Sequence, residues 1–156
     1  MSWSNPDSPN LPDYALFVQN VMGIDPLYLP STSPFLGYAL DRAVALVVPP
    51  GRLCRAPSGG VDYTLAVYNC AGHVQFKITP DQTGRDFFLC ERRKFDLLKP
   101  SYGVVTSTSD DGTSVTLATP DALRNLTLGD LDFIKTPWGR DYLAYAQDFG
   151  GIWGLS

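Results

Sequence analysis

Apolar residues recur with a helical period over most of the first hundred positions. Tyr14, Phe17, Val18, Val21 and Met22 repeat at three- and four-residue steps. Asp13 stands before them as an N-cap, and Gly23 is a natural stop. Asp25 to Pro30 reads as a connector. Ser33-Pro34 then supplies a cap and a first-turn proline for a second helix. Its stripe of Phe35, Leu36, Ala39, Leu40, Ala43, Val44 and Val47 is wide enough to predict burial on most sides, and Pro49-Pro50-Gly51 ends it. After Ser58-Gly59-Gly60 a third helix is predicted from about Val61 to Lys77, with Leu65, Tyr68, Gly72 and Phe76 on one side. Thr79-Pro80 closes it. A fourth, from about Arg85 to Leu98, carries Phe87, Phe88, Phe95 and Leu98 around the charged run Glu91-Arg92-Arg93-Lys94.

Beyond Pro100 the period changes to two. Gly103 to Ser109 and Thr113 to Leu117 are rich in β-branched residues and alternate, with Asp110-Asp111-Gly112 between them. That pattern predicts a β-hairpin over about 103–118. Its tip holds only Ser, Thr, Asp and Gly, and an isolated hairpin is marginal in water. The ribbon is therefore expected to lean on the domain or on a neighbouring molecule. Thr119-Pro120 and Thr136-Pro137 repeat the cap-and-proline device. They predict a short helix through Leu126 and another from Pro137 to about Gln147, with a further helical piece between Leu128 and Ile134. The expected fold is mainly α: a helical bundle with one inserted β-hairpin and extended N- and C-terminal segments. Residues 1–12 form an arm, 13–148 the helical domain and 149–156 a tail.

Composition changes this picture in two ways. The chain has 156 residues, enough for one domain, and only 18% are charged. That share lies below the roughly 25% usual for soluble domains, which implies that part of the surface is covered by something else. The net charge is −4, from 16 acidic and 12 basic residues, and Glu91 is the one glutamate among the acids. This is not the basic balance of a protein that reads nucleic-acid sequence. Cys54, Cys70 and Cys90 are widely spaced with no C-x-x-C, and read as free, buried thiols of a reducing compartment. No basic start with an apolar run follows Met1, and no stretch approaches the roughly 18 apolar residues of a membrane helix. The expectation is a protein made in a cytoplasm, without a membrane segment.

The candidate chemistry is sparse. His73 is the single histidine, no G-x-S-x-G or H-E-x-x-H occurs, and the three cysteines with His73 lack any close ligand pair. Gly59-Gly60 and Gly84-Arg85 make no phosphate loop, and Asp110-Asp111-Gly112 lacks the remaining oxygen ligands of a calcium loop. No catalytic, cofactor or metal residues are assigned. The triplet Asp148-Phe149-Gly150 matches a kinase motif, but the glycine-rich loop, strand lysine and H-R-D of a kinase are missing. Arg92, Arg93 and Lys94 read as a solvated face pairing with Glu91 and Asp96, or as a contact to phosphate or an acidic partner. The chain finishes on Phe149, Ile152, Trp153 and Leu155, spaced by Gly150, Gly151 and Gly154. Such anchors suit an interface with another protein; folding back on the chain's own helices is the alternative.

Several phrases fit one group. FVQNVMGI (17–24), SPFLGYALDRAVALVVPP (33–50), YTLAVYNCAGH (63–73), GVVTSTSDDGTS (103–114) and DALRNLTLGDLDFIKTPWGRDYLAYAQDFGGIWGLS (121–156) resemble the head-to-tail adaptor proteins, or connectors, of short-tailed bacteriophages. The likeness lies in order and phrasing from about Phe17 onward, not in one motif. It implies a structural virion protein: a ring, commonly dodecameric, under the capsid portal. One face would meet the portal protein and the other a tail nozzle or hub, with DNA passing through the middle without sequence-specific binding. It also implies that Phe149 to Ser156 reaches out to clasp the portal. The hairpin, with Val104, Thr106, Asp110, Asp111 and Val115, would touch a neighbouring subunit or the tail. The alternatives are another neck, head-completion or tail-completion protein without portal contact, and a small cytoplasmic binding module.

Overall fold

The computed structural model describes residues 8–47, 60–99, 107–110, 113–116 and 128–149, and six helices account for most of them. In chain order these are α1 (Leu11–Asn20), α2 (Pro34–Leu46), α3 (Gly60–Ile78) and α4 (Phe87–Lys94), then α5 (Leu128–Phe133) and α6 (Pro137–Phe149). The expectation of a mainly helical chain holds.

α1 begins earlier than the cap at Asp13 predicted. Asn10 is the N-cap, with extended backbone, and its Oδ1 accepts the Asp13 N–H at 2.9 Å. Pro12 then falls in the first turn, where a missing N–H costs nothing. Asp13 lies inside that turn, 2% exposed, its carboxylate accepting from Asn10 Nδ2 at 2.9 Å. Tyr68 decides the boundary. Its hydroxyl takes the Asn10 N–H at 3.1 Å and donates to the Asn10 carbonyl at 3.2 Å, so the cap is pinned to α3. α1 therefore starts at Leu11, ahead of the predicted cap. At the other end Gly23 takes a φ of +69°, and the Ile24 N–H returns to the Val18 carbonyl at 3.1 Å.

α3 is the centre of the bundle. Ala66, Val67, Tyr68, Cys70, Ala71 and Phe76 are all buried, together with His73 and Gln75. These positions are spread around the helix, so α3 must be packed on several sides. α2 runs antiparallel to it. The connector before α2 touches the segment after α3, through Tyr28 stacked on Phe87 at 4.6 Å, while Arg42 farther along lies close enough to act on Cys70. α6 also runs back down α3: Lys77 meets Asp132, His73 meets Thr136, and Gly72 faces Trp138. Trp138 stacks on Phe76 at 4.9 Å, and Phe76 also touches Phe88 and Phe95. One aromatic cluster thus joins α3, α4 and α6. A second, of Tyr14, Phe17 and Tyr68, joins α1 to α3.

Three expectations change. α2 was predicted to be covered on most sides, but only Leu36, Ala39, Leu40 and Ala43 are buried within it. The described residues supply neighbours for one face, and Tyr38, Val44 and Leu46 are exposed on the rest. α4 is shorter than predicted because Asp96 takes a left-handed φ of 53° and turns the chain. An inserted hairpin seated on the bundle is not seen. A short antiparallel ladder is described, β1 (Ser107–Asp110) with β2 (Thr113–Thr116), pairing Ser107 with Thr116 and Asp110 with Thr113. Its connecting and flanking residues, and the helix expected from Pro120 to Leu126, lie outside the described residues.

α5 and α6 meet so closely that a Cβ on Gly139 would lie 2.0 Å from the Phe133 carbonyl oxygen. Gly139→Ala is expected to cost more than about 2 kcal/mol, because a backbone atom cannot step aside. At Gly72 a Cβ meets the flexible Met22 thioether at 3.1 Å, so Gly72→Ala should cost distinctly less. Urea unfolding of the two variants beside the parent chain tests that order.

Candidate functional site

The buried polar groups lie where α3 meets α5 and α6. His73 is 1% exposed, and its Nδ1 lies 2.8 Å from the Thr136 hydroxyl. Thr136 caps α6: its oxygen accepts the Gly139 N–H at 3.0 Å, and its own proton is left for His73. The tautomer that serves both neighbours accepts at Nδ1 and carries its proton on Nε2, which faces the Asp132 carboxylate at 3.8 Å. The Phe133 ring covers the imidazole at 4.4 Å. Asp132 is also held by Lys77 and by Lys135 at 3.2 Å. Burial pulls the Asp132 carboxyl upward, but Lys77, Lys135 and His73 outweigh it and leave its pKa below the ordinary value. Lys135 continues the chain of contacts to the carbonyls of Asp96 at 3.1 Å and Lys99 at 2.7 Å, beyond the end of α4.

Both nitrogens of His73 are turned to the protein, so its geometry positions helices. Burial, then the Lys77 charge, push its pKa down from 6.5 to about 4, with Asp132 opposing. Cys70 is buried and its thiol is pushed up to about 12, while Cys90 is exposed, contrary to the expected burial; Cys54 lies outside the described residues. Among the described residues, no group of three His, Cys, Asp or Glu side chains could hold a metal ion.

The basic run splits into separate roles. Arg92 turns inward: Nη1 donates to the carbonyls of Phe76 at 3.3 Å and Thr79 at 2.7 Å, and Nη2 pairs with Asp81 at 3.3 Å. It satisfies the open carbonyl end of α3. Asp81 in turn accepts the N–H groups of Phe88 at 2.6 Å and Leu89 at 2.8 Å, closing the start of α4. Lys94 pairs with Glu91 at 3.2 Å and lies over the Phe95 ring at 5.1 Å. Arg93 is exposed. Residue type alone cannot separate a solvated arginine from one that caps a neighbouring helix, so the sequence grouped the three.

The other expected contact residues are placed only in part. Asp110 ends β1 opposite Thr113, and Val115 pairs across the ladder with Thr108. Val104, Thr106 and Asp111 lie outside the described residues, as do Ile152, Trp153 and Leu155. Phe149 is the last residue of α6, so the helix runs to the start of the expected tail. What the sequence reading missed is a surface. Leu11 and Leu16 of α1, and Tyr38, Val44 and Leu46 of α2, are exposed beside the core formed by the described residues. The signal was the width of the α2 stripe, which exceeds what the described residues bury.

No helix among the described residues is long and apolar enough to cross a membrane. No protein family, no curated protein and no solved structure matches the chain.

His73 titrates lower in the folded chain than in the unfolded one, so the unfolded chain binds the proton more readily as pH falls. Its stabilisation is complete above about pH 6.5 and is lost as pH falls through about 4. Unfolding free energy is expected to drop by about 2 kcal/mol between about pH 7.5 and about pH 5. His73→Gln should flatten that slope. Urea titrations of both chains at the two pH values measure the difference.

Proposed function

We propose that this chain is a structural virion protein, a head-to-tail adaptor that forms a ring under the portal and joins the capsid to the tail, leaving a channel for DNA. The observation that carries the reading is the apolar surface left over after the core is filled: Tyr38, Val44 and Leu46 on α2, with Leu11 and Leu16 on α1. A ring subunit buries two different flanks against copies of itself, so it needs apolar faces beyond those its own fold consumes. The resemblance of residues 17–156 to short-tailed phage adaptors, and the low charged share of 18%, support it. An acidic balance suits a lumen through which DNA slides. In this reading Phe149, Ile152, Trp153 and Leu155 clasp the portal, and the ribbon around β1 and β2 contacts a neighbour or the tail.

Purified chain mixed with portal is expected to give rings and a defined complex in negative stain, and truncation before Phe149 should weaken capture at least about tenfold. Equal binding by the truncated chain sinks the clasp. Failure to assemble on the portal at all favours a neck protein without portal contact, or a small binding module.

A further inference from the structure

The outward stripe of α2 is built to meet itself. Around the helix, Leu36, Ala39, Leu40 and Ala43 point to the core, and Tyr38, Asp41 and Ala45 lie on the opposite side, with Arg42 at the edge of that stripe, near enough to α3 for its charge to act on Cys70. These last four are exposed, Tyr38 to 61%, and its ring is met edge-on by Phe35 at 6.1 Å. Val44 and Leu46 flank the stripe, 43% and 38% exposed. Asp41 and Arg42 form no ion pair or hydrogen bond among the described residues, although most other charged side chains near the bundle surface are paired.

Two opposite, unpaired charges sit side by side midway along this stripe, with a large residue one turn before them and a small one a turn after. When two copies of α2 lie antiparallel about a two-fold axis, position 41 of each faces 42 of the other, and 38 faces 45. Asp41 then meets Arg42 twice, and each Tyr38 ring covers an Ala45. A parallel arrangement would put like beside like. The partner with this complementarity is a second copy of the chain.

We infer that α2 pairs with α2 of another copy through a two-fold contact centred between Asp41 and Arg42. The inference goes beyond the adaptor reading and does not rest on it. A closed ring joins two different faces, whereas this contact uses one face twice. α2 is about 20 Å long. One helix pair buries less than the roughly 1,200 Å² of a standard interface, which places the contact among weak, transient associations. The ion pairs set register and exclude mismatched partners, and Tyr38, Val44 and Leu46 supply the apolar contact.

Sedimentation equilibrium over about 5 to about 500 µM tests it on the full chain. The parent should pass from monomer to dimer. Asp41→Arg and Arg42→Asp each place like charges opposite one another twice and should weaken association at least about fivefold. The double exchange, Asp41→Arg with Arg42→Asp, should return to within about twofold of the parent. Circular dichroism at each concentration confirms that the variants, altered only at exposed positions, stay folded. A parent that stays monomeric, single variants that associate as the parent does, or a double variant as weak as the singles each overturns the inference. Portal binding can succeed or fail independently of all three.

Discussion

α3 is buried along much of its length, and two of its polar side chains, His73 and Gln75, depend on partners supplied from within the chain. Both point into the packed interior. An unmade hydrogen bond there costs on the order of 1–3 kcal/mol. Gln75 settles its account with the Tyr14 hydroxyl at 3.3 Å and with Thr79, one turn along. His73 has no such partner on α1 or α2. It is satisfied only if Thr136 arrives with its hydroxyl in place, which requires α6 to begin beside it. The packing of the C-terminal helices is thereby tied to one imidazole.

The same economy runs through the rest of the bundle. Several helix ends are closed by a side chain from another part of the chain. Tyr68 closes on Asn10, Arg92 on the last turn of α3, Asp81 on the first turn of α4, and Lys135 on the carbonyls beyond α4. Helix ends leave backbone groups open, and buried ones must be satisfied. In this chain most of its interior charge is spent on that task. Arg92 and Asp132 belong to the framework, and the charges left free for partners lie on outer faces.

Under the adaptor proposal, those outer faces connect structure to function. The core accounts for one side of α1 and α2, yet apolar side chains continue around both helices. A structural subunit has a use for such surplus surface. The two-fold pairing argued for α2 and the heterologous contacts of a ring are different uses, and they place different demands on the same residues. Asp41 and Arg42 carry the distinction, because adjacent unpaired charges complement themselves only in an antiparallel pair.

Much of the helical framework was legible from sequence. Period and punctuation are local: Ser33-Pro34, Gly23, Thr79-Pro80 and Thr136-Pro137 mark ends by backbone chemistry that needs no tertiary contact. The α2 and α6 starts fall at their prolines for that reason. Where sequence reading slipped, a residue distant along the chain decided the matter. Asn10 wins over Asp13 as the cap because Tyr68, 58 positions later, holds it. Arg92 leaves the solvated face because the end of α3 lies beside it. In sequence His73 is only the single histidine without a ligand partner, and the approach of Thr136, 63 positions away, makes it a joint. The α2 stripe states how much apolar surface there is, but not how much one chain can cover. That depends on how many helices can crowd around α3, and only the tertiary structure decides it.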